Sequence, residues 1–132
     1  MEYEPICKEF LEMLFGTKIE KITYLSPQNT VTANSGAKTV RLDVLVKDKA
    51  GTSYDIEMQV GNEYNIPKRM RYYQSVLDVA FLDKGYSYKA LNESYIIFIC
   101  LFDSIGKNRA VYTFENICAE DSSIHLQDGT KK

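Results

Sequence analysis

The segment SYIIFICLF at residues 94–102 constrains the fold of this 132-residue chain more than any other feature. Its apolar run has the length of a strand and is too short to cross a membrane. Because apolar residues follow one another without alternation, both faces of the strand must be covered, as in the middle of a sheet with helices on each side. The segment therefore predicts an α/β fold.

Segments before and after this run predict the elements that cover it. Apolar residues at helical spacing predict one helix over residues 4–15, ended by Gly16, and a second helix that begins at Pro67 and closes at Gly85. Alternating or β-branched segments predict further strands over residues 18–25, 39–46, 53–60 and 109–117. Turn residues between the second and third of these strands predict a hairpin. The expected architecture is one sheet flanked by helices.

The length of the chain fits a single domain with a real core. We expect one core domain over residues 1–119, followed by a loose, polar C-terminal tail over residues 120–132. The acidic, helical start EYEPICKEF lacks the basic and apolar regions of a secretory signal. A cytoplasmic protein with no membrane contact is therefore expected.

The cysteines and the histidine give little support to several kinds of site. Cys7, Cys100 and Cys118 are odd in number, far apart and set in apolar patterns, which favours buried free thiols over disulfides. His125 is the only histidine and lies in the polar tail. Structural zinc sites need closely spaced cysteine and histidine ligands, so such a site is not expected. Nucleophilic catalysis that relies on histidine is equally poorly supported.

The predicted hairpin carries an unusual set of polar side chains. In its second strand, TSYDIEMQV, Asp55, Glu57 and Gln59 occupy alternate positions and therefore share one face. In its first strand, Asp43 interrupts an apolar run. A register in which paired residue numbers sum to about 100 sets Asp43 opposite Glu57, with Cβ atoms about 4.5–5.5 Å apart.

Two carboxylates at such a short distance repel each other. The repulsion reduces stability or raises the pKa of one of them, unless a cation lies between them. Mg²⁺, for which Mn²⁺ can substitute, prefers one or two carboxylates and shares its remaining positions with water and substrate phosphate. Asp43 and Glu57 therefore predict a Mg²⁺ site and phosphodiester chemistry. The alternative is a pair of solvated carboxylates on the wet face of the hairpin. Asp55 is expected to be peripheral or solvent-facing rather than a ligand.

A contact with DNA would need a local basic patch, because the net charge of −2 provides no general attraction for nucleic acid. The one basic cluster is PKRMR, at the start of the second predicted helix. Lys68, Arg69 and Arg71 suit phosphate groups, and the Tyr72 ring can stack on bases. Solvated helix surface is the alternative interpretation of this cluster.

The hairpin contains a pattern that resembles the metal-binding signature of the PD-(D/E)XK nuclease superfamily: Asp43, thirteen intervening residues and then Glu57-Met58-Gln59. The segments RLDVLVKDKAGTSYDIEMQ, RMRYYQSVLD and LDKGYSYKALNESYIIFICLFD are similar to its recombination-promoting nuclease and transposase branch. In that branch glutamine commonly stands where other members have lysine. The resemblance covers most of the chain and is strongest over residues 41–103.

This resemblance implies a restriction-endonuclease-like αβββαβ core and Mg²⁺-dependent cleavage of DNA in the recombination of mobile elements. Asp43 and Glu57 would bind the metal, and the backbone carbonyl of Met58 would complete the protein ligands. Gln59 would orient the attacking water, although without the charge of a lysine it cannot stabilise an anion.

Other features of the resemblance concern the first helix and the chain ends. Members of the superfamily often add a carboxylate from the first helix, for which Glu9 or Glu12 is the candidate, with exposed helix surface as the alternative. Relatives usually carry a Phe-rich segment before this helix and continue beyond DGTKK, so a shortened nuclease is expected. The alternative function is a catalytically inactive, nuclease-like interaction module that could form a homo-oligomer.

Overall fold

The structure is a computed structural model, and it describes residues 4–27, 30–31 and 40–132. Its helices and strands follow one another as α1 (Glu4–Phe15), β1 (Ile22–Pro27), β2 (Thr30–Val31), β3 (Val40–Arg41), β4 (Val44–Asp48), β5 (Ser53–Gln59), α2 (Ile66–Phe81), a short 3₁₀ helix (Tyr88–Ala90), β6 (Ser94–Cys100) and β7 (Thr130–Lys131).

Within these residues, five strands form one sheet in the order β1-β4-β5-β6-β7. The pairs β1/β4 and β4/β5 are antiparallel, whereas β5/β6 and β6/β7 are parallel. The sheet is therefore mixed, and the crossover from β5 to β6 runs through α2. This arrangement confirms the predicted α/β fold with a restriction-endonuclease-like core.

Two apolar clusters cover the two faces of the sheet. The α2-side core consists of Leu42, Leu45, Val76, Leu77 and Ile96. The α1-side core consists of Leu11, Ile19, Ile22, Val46, Tyr54 and Ile56.

Strand β6 is apolar after Ser94 because it contributes to both clusters. Ile96 is fully buried in the α2-side core, whereas Ile97 and Ile99 pack against the α1-side core. Alternate residues of a strand point to opposite faces, so an internal strand between two helix layers needs apolar residues of both parities.

The β4–β5 hairpin has the predicted register. Val44 pairs with Ile56 and Leu45 with Asp55, so the residue numbers of each pair sum to 100. The turn between the strands includes Gly51 at φ +94°, a conformation that favours glycine. The hairpin therefore directs Asp43, in the bend just before β4, toward Glu57 near the end of β5.

Several predicted boundaries differ from the structure. The first strand is Ile22–Pro27 rather than residues 18–25. The predicted strand over residues 39–46 is divided into β3 and β4 by a break at Leu42 and Asp43, and Thr39 lies outside the described residues. A break there frees the backbone N–H of Asp43 from the strand ladder, which allows it to donate to the Glu57 carboxylate.

The C-terminal part of the chain contains the largest errors of the prediction. Residues 109–117 form no extended strand, and Ile117 makes an isolated bridge with His125 instead. The expectation of a loose tail is wrong for Thr130–Lys131, which pairs with Ser94 and Tyr95 of β6. The end of the chain thus supplies hydrogen-bonding partners for the first part of the β6 edge that β5 leaves open.

The cysteines and helices agree in part with expectation. Cys100 and Cys118 are free thiols but are half-buried rather than buried, and Cys7 packs against the α1-side core. In the described part of the chain, no helix combines the length and the apolar character that crossing a bilayer requires.

The position of Ile96 in the middle of the sheet yields a test of the fold. We expect Ile96→Ala to lower the free energy of unfolding by about 2–5 kcal/mol, because a fully buried side chain is replaced by a cavity. Urea denaturation measures this change. The control is Leu101→Ala just beyond β6, where the side chain is 69% exposed and the expected change is within about 0.5 kcal/mol. Equal effects of the two changes would contradict the central position of β6.

Candidate active site

The polar face of β5, formed by Asp55, Glu57 and Gln59, lies on the side of the sheet that α2 covers. These side chains are 0%, 2% and 9% exposed. Asp55 pairs with Leu45 on one side and with Ile96 on the other, and both neighbours belong to the α2-side core. The alternative of a wet hairpin face is therefore wrong for β5, and so is the expectation that Asp55 faces solvent.

At the edge of this face, hydrogen bonds run in both directions between Asp43 and the segment Glu57-Met58. The backbone N–H of Asp43 donates to Oε1 and Oε2 of Glu57, each at 3.3 Å. The backbone N–H of Met58 donates to Oδ2 of Asp43 at 2.9 Å. Asp43 is half-buried, so this contact lies where the buried face opens to the surface.

The carboxyl groups of this cluster strongly affect each other's ionisation. Burial raises the pKa of Glu57, and hydrogen bonding and negative charge from Asp55 and Asp43 raise it further. Burial also raises the pKa of Asp55, which the neighbouring Glu57 carboxyl and the positive charge of Arg69 partly offset. In the absence of a cation, these surroundings therefore favour the protonated form of Glu57.

The Asp55 carboxyl lacks hydrogen-bond donors, and this indicates what would have to neutralise its charge. Neither Oδ1 nor Oδ2 of Asp55 has a hydrogen-bond donor in the described part of the chain. The lysine and arginine side chains described there form no ion pair with Asp43, Asp55 or Glu57. A buried carboxylate without a donor is costly, so either a proton or a cation must satisfy it.

The donor chemistry of the cluster fits a hard divalent cation. Carboxylate oxygens suit Mg²⁺ and Mn²⁺, and Asp43 and Glu57 are the pair that would hold the ion at the open edge. Among the described residues, no three acidic, cysteine or histidine side chains are already arranged around a common metal position. A cation would therefore rely on this pair together with backbone and water oxygens.

Gln59 is held at both ends of its amide. Its Oε1 accepts a hydrogen bond from Nη1 of Arg69 at 2.7 Å, and its Nε2 donates to the carbonyl of Gly61 at 2.6 Å. Arg69 in turn contacts Tyr73 and Phe98. The interpretation of Arg69 as solvated helix surface is therefore wrong, because its guanidinium packs onto the polar face of β5.

The other basic and aromatic candidates remain at the surface. Lys68 and Arg71 are exposed, and Tyr72 is 37% exposed. They lie near the start of α2, which follows the end of β5 closely in the chain. The Met58 side chain is 56% exposed, while its backbone N–H is bound to Asp43.

The acidic residues of α1 do not join this cluster. Leu11 of α1 packs with Tyr54 and Ile56, which are on the face of β5 opposite to Glu57. Glu9 is exposed, and Oε2 of Glu12 accepts the backbone N–H of Ile19 at 2.9 Å. The structure thus contradicts the expectation that Glu9 or Glu12 contributes a ligand beside Asp43 and Glu57.

Two contributions to the site were missed in the sequence. One is the burial of Asp55, and the other is the contact between Arg69 and Gln59. A signal for the burial of Asp55 was available. Strand β6 is apolar on both faces, so its neighbour β5 must lie between the same two helix layers. No local pattern reveals the second, since it depends on how α2 lies over the sheet.

The sheet is mixed and lies between helices, and the acidic pair Asp43 and Glu57 lies at the open end of the β4–β5 hairpin, on the side covered by α2. These features define a restriction-endonuclease-like α/β domain. The profile of the family described as PD-(D/E)XK nuclease family transposase matches residues 2–129. The chain belongs to this family. Comparisons with curated proteins and with solved structures found no match.

The raised pKa of Glu57 predicts how stability depends on pH when metal is absent. The folded state binds the Glu57 proton more tightly than the unfolded state does, so the free energy of unfolding falls as the pH rises above the ordinary glutamate value of about 4.3. The slope is at most about 1.4 kcal/mol per pH unit for each such group. Urea denaturation in EDTA between about pH 5 and about pH 8 measures this slope.

We expect Glu57→Gln to be less pH-sensitive than the wild type over this range, because an amide does not lose a proton. The matched control is Glu63→Gln in the exposed loop after β5, which should keep the wild-type slope. A wild-type slope in Glu57→Gln would contradict the buried carboxyl cluster.

Proposed function

We propose that this protein is a Mg²⁺-dependent endonuclease that hydrolyses phosphodiester bonds of DNA in the cytoplasm during recombination of a mobile element. The observation that carries the proposal is the contact at the open edge of a buried acidic face, where the backbone N–H of Asp43 donates to the Glu57 carboxylate and the backbone N–H of Met58 donates to the Asp43 carboxylate. Membership of the PD-(D/E)XK nuclease family transposase family supports the same chemistry.

Asp43 and Glu57 are proposed to hold the cation, and the backbone of Met58 to hold the site together. The Met58 N–H fixes Oδ2 of Asp43 and leaves Oδ1 to bind an ion, while the carbonyl of Met58 is the proposed third protein ligand. A bound Mg²⁺ would polarise the phosphate and lower the pKa of the attacking water. Glu57 would release its proton when the ion binds, because the positive charge then favours the carboxylate.

The proposed reaction is hydrolysis. The water oxygen forms a new bond to phosphorus, the bond from phosphorus to the leaving deoxyribose oxygen breaks, and the proton lost by the water ends in solvent or on that oxygen. Gln59 is proposed to orient the water. Its amide is fixed through Arg69 and Gly61, and one N–H of Nε2 and one lone pair of Oε1 remain available.

The start of α2 is the proposed DNA-binding surface. Lys68 and Arg71 are exposed cations next to the end of β5, and the exposed part of the Tyr72 ring could stack on a base. Because each phosphate contact releases counterions from DNA, binding that depends on this patch should weaken as the salt concentration increases.

A second candidate function is a nuclease-like interaction module that does not cleave DNA and could form a homo-oligomer. The observation that favours it is the closure of the site, since Asp55 is 0% and Glu57 only 2% exposed. Because burial favours the protonated form of Glu57, the carboxyl cluster can be neutralised in part without a metal. Metal binding and cleavage measurements separate the two candidates.

The cleavage test uses supercoiled plasmid DNA with Mg²⁺ or Mn²⁺. We expect the wild type to nick it and Asp43→Ala to lower the rate by about 100-fold or more, as happens when a group that supports the transition state is lost. The control is Asp83→Ala in the exposed loop after α2, which should cut like the wild type. If Asp43→Ala cuts as fast as the control, the assigned site is wrong.

The metal itself can be located without any cleavage. We expect Mn²⁺ to broaden the backbone amide signals of Glu57 and Met58 in NMR spectra before those of other buried residues, because both lie next to the proposed ligands. Asp43→Ala should require a much higher Mn²⁺ concentration for the same broadening. Wild-type signals that stay sharp at millimolar-scale Mn²⁺ would favour the interaction module.

A further inference from the structure

Arg69 is the cation that contacts the polar face of β5 in the part of the chain that the structure describes. Its Nη1 donates to Oε1 of Gln59 at 2.7 Å. Its charge also reaches Asp55. Gln59 has no charge of its own, so the positive charge at this end of the face comes from the helix rather than from the strand.

The guanidinium of Arg69 is held in place by Tyr73 and by the ring of Phe98. Its Nε and Nη2 donate to the hydroxyl of Tyr73, one helical turn further along α2, at 3.3 Å and 3.2 Å. The guanidinium carbon lies 5.0 Å from the centre of the Phe98 ring, a cation–π contact. Phe98 is the partner of Glu57 in the β5/β6 register. The guanidinium therefore lies over the strand positions of the candidate site.

These contacts leave part of the guanidinium unused. Arginine has five N–H donors in a planar fork, and Arg69 uses one on Nε, one on Nη1 and one on Nη2. One donor on each Nη therefore remains. The two remaining donors of this planar cation suit phosphate oxygens, and the group is already ordered before any ligand binds.

We propose that Arg69 is a catalytic residue: it fixes Gln59 and contacts the scissile phosphate with its two remaining donors. This inference rests on the proposed nuclease function. Hydrolysis builds negative charge on the phosphate oxygens, and a positioned cation in a partly buried site stabilises that charge most when it is already in place. Lys68 and Arg71 would act differently, since exposed cations along the backbone increase affinity without favouring the transition state.

The test separates cleavage rate from DNA affinity. We expect Arg69→Met to lower the plasmid nicking rate at saturating DNA by about 100-fold, with DNA affinity changed by less than about threefold. Arg69→Gln, which keeps a donor for Gln59 but no charge, should show the same loss of rate. The matched control is Arg109→Met in an exposed loop, which should nick like the wild type.

A second substitution distinguishes a charge role from a structural one. In Arg69→Met, the further change Gln59→Lys places an ammonium group near the position of the lost guanidinium. We expect this double variant to regain at least about tenfold of the nicking rate, because the positive charge is restored. Thermal unfolding of each variant establishes that the compared proteins are folded.

The outcomes are distinct. Wild-type nicking in folded Arg69→Met, or a loss confined to DNA affinity, would overturn this inference and leave the proposed nuclease function standing. A folded double variant no faster than Arg69→Met would overturn the charge role. A wild type that does not nick under any of the divalent metal conditions would overturn the proposed function and this inference together.

Discussion

The structure depends on the burial of acidic side chains of β5 beneath α2. Asp55 lies between Leu45 and Ile96 in the α2-side core, a position where an apolar residue would ordinarily stabilise the sheet. Carboxyl groups in such a place reduce stability unless a proton or a cation neutralises them. The fold therefore sacrifices stability at the point where the strand reaches the candidate site, as expected of a functional rather than a structural residue.

The surroundings of Glu57 indicate how the same cluster would behave with and without a metal. Without one, burial and the neighbouring carboxyl groups favour the protonated form of Glu57, which reduces the negative charge beside Asp55. A bound cation would instead neutralise the carboxylates at the open edge, where Asp43 is half-buried. A proton and a cation would then compete for this site, and the state of the carboxyl pair would depend on both pH and metal concentration.

Helix α2 links the buried face to the surface. On its inner side, Arg69 contacts Gln59, Tyr73 and Phe98, and through them completes the polar end of the face. On its outer side, Lys68 and Arg71 are exposed. Neighbouring cations of one short segment are thereby assigned to different environments, because successive residues of a helix point in different directions around its axis.

Local sequence patterns were enough to predict the α/β class, the hairpin register and the proximity of Asp43 and Glu57. Each of these follows from a local pattern: the unbroken apolar run of β6, the alternation in β5 and the turn between β4 and β5. Tertiary structure alone decided that Asp55 is buried, that Arg69 binds Gln59 and that Thr130–Lys131 completes the sheet. Side-chain periodicity specifies which residues share a face, but the layer that covers that face is chosen by packing between segments far apart in the chain.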